Sequence, residues 1–153
     1  MEAYERFTQD IGGSPRGKST GAFFDFDGTI IASHSIKDMF IERLKSGDVK
    51  SQEIFDLGAM IPRYFFKQDS FTDAMTASIG NLEGLPEEKL LELGDKVARE
   101  RLTAEVFPEV RAMIRAHQER GHTVVIVSSA TRYQIEPLAT SLGVRSAEVG
   151  VVV

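Results

Sequence analysis

The feature that most limits the fold is an unbroken run of mostly β-branched residues, Thr123-Val124-Val125-Ile126-Val127. Such a run is typical of a central parallel strand that is covered on both faces. One predicted helix precedes it, opening at Pro108 and ending before Gly121, and a second helix spans 133–142. A strand between two helices predicts right-handed crossover connections, and therefore an α/β fold with a parallel sheet.

Two further strands are predicted on either side of this unit. The segment Ala22-Phe23-Phe24-Asp25-Phe26-Asp27 reads as a short buried strand, and Gly28-Thr29 forms a turn at its end. A third strand is predicted over 149–153, because that segment is again rich in valine.

Residues 34–105 show a helical pattern and no convincing strand. Apolar spacing predicts a helix that Ser35 can cap and that Gly47 ends, two more helices within 54–79, and a fourth that opens near Glu87. This block is too long for one crossover, and is better explained as an inserted helical subdomain. The sequence thus predicts a flexible leader over 1–20, a core formed by 21–33 and 106–153, and a helical insertion over 34–105.

Composition excludes several classes of function. The chain has 153 residues with no cysteine, which excludes disulfides, thiolate metal sites and cysteine nucleophiles. No apolar run approaches the roughly 20 residues that span a bilayer, and no signal-peptide stretch is present. A net charge of −5 argues against binding to nucleic acid or to an anionic membrane. We therefore expect a cytoplasmic protein.

Chemically active side chains follow the first predicted strand. Ligands of open parallel sheets bind beyond the carboxyl ends of the strands, where Asp25 and Asp27 stand. One ionised carboxylate can attack an electrophile such as phosphorus, while the other protonates the leaving oxygen and later activates water. The alternative is that Asp-x-Asp-Gly is merely a turn. An ionised Asp25 between phenylalanines would be costly to bury without a purpose.

Two serines, Ser128 and Ser129, directly follow the central strand. Hydroxyl and backbone N–H groups at such a position can bind a phosphate group. The alternative is that one of them caps the following helix, and the two roles are compatible. If the two strands are neighbours, these serines and the two aspartates converge on one site.

The hydrophobic strand ending in Asp25-Phe26-Asp27-Gly28-Thr29 resembles the first signature of the haloacid dehalogenase (HAD) superfamily. The strand that ends in Ser128 resembles its second signature. The helical insertion between them is similar to the cap of the phosphoserine-phosphatase-like subgroup, subfamily IB. The resemblance covers residues 21–153, and implies a HAD-like Rossmannoid parallel sheet, here incomplete, with an inserted helical cap.

The resemblance implies a role for each matched residue. Asp25 would be the nucleophile that forms an aspartyl-phosphate, and Asp27 the general acid/base. The Asp25 carboxylate and the backbone carbonyl of Asp27 would help to hold Mg²⁺. Ser128 would bind the phosphoryl group with the Ser129 N–H beside it, and Thr29 would orient the first loop.

The sequence departs from the family pattern after the second signature. The family's lysine and its later acidic pair are not found, since the segment after Ser129 contains neither Lys nor Asp. The Glu and Arg that phosphoserine-selective relatives use in the cap are also missing, and His34 and Ser78 stand near those positions. This argues against phosphoserine as the substrate.

Two kinds of function remain open from the sequence. The first is a Mg²⁺-dependent phosphomonoester hydrolase that acts on a small phosphorylated metabolite. The second is a catalytically incomplete fragment of such a hydrolase, related to fusions with an acyltransferase domain or acting as a binding module. In the second case the strand over 22–27 would be an exposed sheet edge, through which copies of the chain could form a homo-oligomer.

Overall fold

The structure is a computed structural model that describes residues 3–52, 54, 55, 80 and 84–151. Its labelled helices and strands are α1 (Ala3–Gly13), β1 (Gly21–Phe24), α2 (Ser35–Ser46), α3 (Glu87–Val97), α4 (Pro108–Glu119), β2 (Thr123–Ser128), α5 (Arg132–Ser141) and β3 (Val149–Val151). A π-helical turn (Ala98–Leu102) and a further helical turn (Thr103–Glu105) follow α3. The two helices predicted within 54–79 lie outside the described residues, apart from residues 54 and 55, which are helical. No described helix has the length and apolarity needed to cross a membrane.

The sheet has three parallel strands in the order β1-β2-β3. Phe24 pairs with Ile126 at the end of β1, and Ser128 pairs with Val151 at the end of β2. This arrangement confirms the predicted α/β class with a parallel sheet. The first strand is shorter than predicted, because the chain leaves the sheet after Phe24.

One face of the sheet carries the core. Ala22 and Phe24 on β1 are buried with Val124 and Ile126 on β2, and helices α4 and α5 pack on them. On the opposite face, Phe23 is 72% exposed. On β2, buried residues alternate with half-buried ones, so among the described residues one face of the strand is fully covered and the other only partly. The reason is topological: two successive right-handed crossovers in the same direction place both helices on one side.

The two linkers that join the core to the inserted segment pair with each other. Ile31 and Val106 form an antiparallel bridge, the Ala32 N–H donates to the Glu105 carbonyl at 3.0 Å, and the Phe107 N–H donates to the Ile30 carbonyl at 3.0 Å. The insertion thus leaves and re-enters the core at one place, next to the turn that follows β1.

Ion pairs join α2, the first helix of the inserted segment, to α3 and to the π-helical turn that follows α3. The buried carboxylate of Asp38 on α2 contacts the Arg101 guanidinium at 3.2 Å, and Glu42 contacts Lys96 at 2.5 Å. Removing Arg101 would leave the Asp38 carboxylate, which is only 3% exposed, buried without this partner, and this would destabilise the fold. The ends of the insertion are therefore held together by charge as well as by backbone pairing.

Helices α3 and α5 pack unusually closely at Gly94. A Cβ atom built on Gly94 would overlap the backbone carbonyl oxygen of Tyr133 and would lie 3.5 Å from Pro137. Backbone atoms cannot yield as a flexible side chain can, so the contact requires glycine at this position.

We expect Gly94→Ala to destabilise the protein by about 1–3 kcal/mol, the usual cost of overpacking a close contact. The measurement is the midpoint of urea unfolding, followed by circular dichroism. Gly12→Ala is the matched control, since Gly12 also lies in a helix and has no atom within 4 Å of its added Cβ. Equal effects of the two substitutions would contradict the close packing.

The segment before β1, predicted as a flexible leader, contains helix α1, which packs on α4. Its end is attached to the core by hydrogen bonds: Arg120 donates to the Ser14 carbonyl, and the Gly17 N–H donates to the Arg120 carbonyl at 3.1 Å. The division into leader, core and insertion remains a prediction.

A pair of histidines completes this attachment. His122 Nε2 lies 2.8 Å from the Pro15 carbonyl, and His122 Nδ1 lies 2.8 Å from His117 Nδ1. A carbonyl only accepts, so Nε2 of His122 carries a hydrogen, and its neutral Nδ1 accepts one from His117. Burial, and then the neighbouring His122, lower the pKa of His117 below its ordinary value of 6.5.

We expect the free energy of unfolding to fall as the pH drops below about 6.5. In that range the unfolded chain protonates His117 more readily than the folded chain does, so protons favour unfolding. His117→Gln should reduce this slope in denaturation curves measured between pH 5 and pH 8. The exposed His34→Gln is the control, and an unchanged slope in His117→Gln would refute the assignment.

Candidate active site

The ends of β1 and β2 lie side by side at one edge of the sheet. Asp25 directly follows Phe24, which pairs with Ile126, and Ser128 stands two residues beyond Ile126. Neighbouring strands are about 4.8 Å apart, so the two strand ends are within reach of one phosphoryl-sized group. The parallel register therefore brings the two predicted motifs to the same edge.

Asp25 is exposed at this edge, although Phe24 and Phe26 on either side of it are buried. Its Oδ1 accepts the Phe26 N–H at 2.8 Å, and its Oδ2 has a longer contact of 3.4 Å with the Thr29 hydroxyl. The sequence-based expectation of a buried carboxylate is wrong, because the strand ends before Asp25 and its side chain faces the open edge.

A tight loop follows Asp25. The carbonyl of Phe26 accepts the N–H groups of Thr29, Ile30 and Ile31 at 2.9–3.3 Å. Gly28 has φ = +74°, a left-handed conformation that glycine adopts without strain. The Asp-x-Asp-Gly segment is thus a turn, as the alternative interpretation has it, and the turn also carries the two carboxylates at the sheet edge.

Asp27 is half-buried and turns toward the start of α2. Its Oδ1 accepts the Ser35 N–H at 2.7 Å, and its Oδ2 accepts the Ser35 hydroxyl at 3.2 Å. Burial raises the pKa of Asp27 above its ordinary value, and the nearby Asp25 carboxylate adds to this. The two Ser35 hydrogen bonds and His34 act in the opposite direction, and the net shift of the Asp27 pKa is upward.

Ser35 was expected to cap α2 with its own side chain. The structure instead makes His34 the N-cap residue, without a side-chain hydrogen bond, and Ser35 the first residue of the helix. The carboxylate of Asp27 takes the capping role, since it accepts a free N–H at the positive end of the helix.

Ser128 is buried and its hydroxyl oxygen accepts the Ala130 N–H at 3.1 Å, while Ser129 is exposed. Neither serine caps α5, because the N-cap residue is Thr131. The alternative that one of these serines caps the helix is therefore wrong. Binding of phosphate by Ser128 and Ser129 stays a prediction.

The sequence reasoning missed Gln134, which is buried on the first turn of α5. Its Oε1 accepts both the N–H and the hydroxyl of Thr131 at 2.8 Å, and its Nε2 donates to the Ser35 hydroxyl at 2.9 Å. The spacing Thr131-x-x-Gln134 is a capping-box pattern, so its contact with Thr131 was predictable. Its contact with Ser35, 99 residues away in the chain, was not.

A divalent cation would find a small set of oxygen ligands here. Among the residues that the structure describes, no three His, Cys, Asp or Glu side chains are grouped as metal ligands. Mg²⁺ commonly takes one or two carboxylates and completes its shell with water and substrate phosphate. The Asp25 carboxylate is exposed and open to such a cation, whereas the Asp27 carboxylate is engaged with Ser35.

Comparisons with known proteins identify the family and the fold. Residues 22–152 match the model of the haloacid dehalogenase-like hydrolase family. A phosphoserine phosphohydrolase-like protein from Francisella tularensis is 15% identical with a TM-score of 0.59, over 87% of this chain and 58% of that one. A protein of unknown function from Bordetella pertussis is 18% identical with a TM-score of 0.66, over 86% and 59%.

A third solved structure, a phospho-aspartyl intermediate analogue of phosphoserine phosphatase, is 17% identical with a TM-score of 0.51, over 88% of this chain and 56% of that one. At such identities the likeness concerns the fold alone, and the chain spans less than three fifths of the length of each structure. No curated protein matches the sequence. The family match covers most of the chain, and its parallel sheet has the corresponding fold: the chain belongs to the haloacid dehalogenase-like hydrolase family.

Proposed function

We propose that this chain carries the nucleophile and the acid/base of a phosphomonoester hydrolase that works through an aspartyl-phosphate. The observation that supports the proposal is the parallel pairing of β1 with β2, because Asp25 directly follows β1 and Ser128 ends β2 at the same edge of the sheet. We propose that the carboxylate and the hydroxyl hold one phosphoryl group between them.

In the first half-reaction, a carboxylate oxygen of Asp25 attacks phosphorus. Oδ2 is the freer oxygen, because its contact with Thr29 is the longer one. The P–O bond to the leaving group breaks, and protonated Asp27 gives its proton to the leaving oxygen. Ser128 and the N–H of Ser129 bind the phosphoryl oxygens.

In the second half-reaction, water attacks the phosphorus of the aspartyl-phosphate. The carboxylate of Asp27 takes the proton from that water, and the bond between phosphorus and the Asp25 oxygen breaks. Inorganic phosphate leaves, and both aspartates return to their starting states. The raised pKa of Asp27 suits a group that is alternately acid and base.

Magnesium, when bound, supplies positive charge that offsets the repulsion between the phosphate and the acidic chain. We propose the Asp25 carboxylate and the Asp27 backbone carbonyl as its protein ligands. The chain's own residues supply attack, proton transfer and orientation.

The substrate is proposed only as a small phosphorylated metabolite. Solved structures with this fold include a phosphoserine phosphatase, but the chain covers 56% of that protein. His34, which stands near the position of a cap Glu in phosphoserine-selective relatives, is exposed at the start of α2. Ser78, near the other cap position, lies outside the described residues. A cytoplasmic location stays a prediction.

We expect hydrolysis of a generic aryl phosphate in the presence of Mg²⁺, reduced to the background rate by Asp25→Asn. The substitution keeps the size of the side chain but removes the charged nucleophile. Asp10→Asn, at an exposed position on α1, is the matched control and should leave the rate unchanged. Equal rates in wild type and Asp25→Asn would exclude Asp25 as the nucleophile.

A second candidate, phosphate binding without turnover, is favoured by the engagement of both Asp27 carboxylate oxygens with Ser35 at the start of α2. Beryllium fluoride mimics a phosphoryl group on aspartate, and its ¹⁹F NMR signal, read together with the hydrolysis assay, distinguishes the two candidate functions. A bound signal in wild type but not in Asp25→Asn, without hydrolysis, would indicate a binding site. A bound signal together with hydrolysis supports the enzyme.

We also propose that copies of the chain associate through the edge of β1. Within the described sheet β1 pairs only with β2, and Phe23 on it is 72% exposed. Unpaired strand edges with apolar side chains favour such association.

We expect Phe23→Lys to shift the protein toward monomer in sedimentation velocity over a range of concentrations. A lysine at a strand edge opposes edge-to-edge pairing. Phe55→Lys is the control, because Phe55 is 73% exposed and lies outside the sheet. A wild-type protein that is monomeric at all concentrations would exclude the association.

A further inference from the structure

A chain of hydrogen bonds runs from the loop after β2 to the proposed acid/base. It begins at Thr131, passes through the side chain of Gln134 to the hydroxyl of Ser35, and ends on the Asp27 carboxylate. Its three steps have donor–acceptor distances of 2.8, 2.9 and 3.2 Å. This series of hydrogen bonds thus connects the loop that follows the second sequence motif to the first motif, across the start of the insertion.

The direction of each hydrogen bond follows from chemistry. The backbone N–H of Thr131 can only donate, so the Gln134 atom that faces it must be the oxygen. The Gln134 amide nitrogen therefore faces Ser35 and donates to its hydroxyl oxygen. The single hydroxyl hydrogen of Ser35 is then left to point at Oδ2 of Asp27.

Because Ser35 and Gln134 are buried, water cannot easily replace the hydrogen bonds between them. Ser35 has no exposed surface and Gln134 is 2% exposed. Without the Gln134 amide, the Ser35 hydroxyl is free to rotate away, and Asp27 keeps only the Ser35 N–H. Such a side chain samples more orientations relative to a substrate at Asp25.

We propose that Gln134 is a positioning residue, which fixes the Ser35 hydroxyl and through it the orientation of the Asp27 carboxylate. Gln134 touches neither Asp25 nor Asp27 in the described contacts and acts through Ser35. The inference rests on the proposed function, in which Asp27 transfers the proton, and it adds a residue from outside both sequence motifs.

Two substitutions at Gln134 separate its contacts. Gln134→Glu keeps an oxygen for the Thr131 cap but loses the amide donor, whereas Gln134→Met loses both without adding charge. Both should lower kcat by about tenfold with KM unchanged, a fraction of what general acid–base catalysis contributes. A loss common to the two variants cannot come from the added charge.

The matched control is Gln118→Met. Gln118 also donates its amide across helices, to the Leu142 carbonyl at 2.9 Å, but it lies outside this chain of contacts. Equal losses of kcat in Gln118→Met and Gln134→Met would mean a merely structural role and would overturn the proposal. A double variant Ser35→Ala with Gln134→Met should be no slower than Ser35→Ala alone, because both interrupt the same path.

An NMR measurement tests the contact independently of activity. In wild type, the side-chain amide protons of Gln134 should exchange slowly with solvent, and Ser35→Ala should speed that exchange. Gln134→Met should also move the backbone amide resonance of Ser35. If the wild type fails to hydrolyse phosphate esters and these signals still respond, the positioning contact stands and the proposed function fails.

If neither the Ser35 resonance nor the Gln134 exchange rate responds, the positioning proposal is wrong even where hydrolysis is observed. Should the Gln134 variants not fold, Ser35→Ala provides the exchange measurement from the other end of the contact.

Discussion

The parallel pairing of β1 with β2 is the constraint on which the candidate site depends. The strands are far apart in the chain, yet their register places Phe24 beside Ile126, and the residues after them share one edge of the sheet. An antiparallel pairing would put the two strand ends at opposite edges of the sheet, and a register slipped by one residue would turn these side chains to the other face. The buried faces of Ala22, Phe24, Val124 and Ile126 make the observed register the favourable one.

The contact between Asp27 and Ser35 contributes to the fold and also to the proposed chemistry. Its carboxylate caps helix α2 through Ser35, which ties the loop after β1 to the start of the insertion. The same carboxyl group is pushed toward its protonated form by burial and toward its ionised form by the Ser35 hydrogen bonds. A carboxyl group with a raised pKa suits the proton transfer that we propose for Asp27.

Further contacts at the junction with the insertion restrain the segments that carry Asp27 and Ser35. A backbone bridge joins the two linkers at Ile31 and Val106, and ion pairs join α2 to α3 and to the π-helical turn after it. Close packing at Gly94 holds α3 against α5, the helix that carries Gln134. Movement of the insertion relative to the sheet must therefore involve the groups that orient Asp27.

The α/β class, the parallel sheet and the identity of the two motifs were predictable from the sequence, because apolar runs and turn residues are local signals. The helix that begins at Pro108 and the glycines after α4 and α5 were predictable for the same reason. These signals depend on residues close together in the chain. They also sufficed for the resemblance to the family.

Only the tertiary structure decided how the site is assembled. The exposure of Asp25, the capping of α2 by Asp27 and the contact between Ser35 and Gln134 depend on where separate segments meet. Hydrogen bonds between residues 99 positions apart leave no periodic trace in the sequence. The sequence by itself determined which groups are available for the chemistry, and the packing of the helices on the sheet decided which of them face each other, since directional contacts form only once the chain is folded.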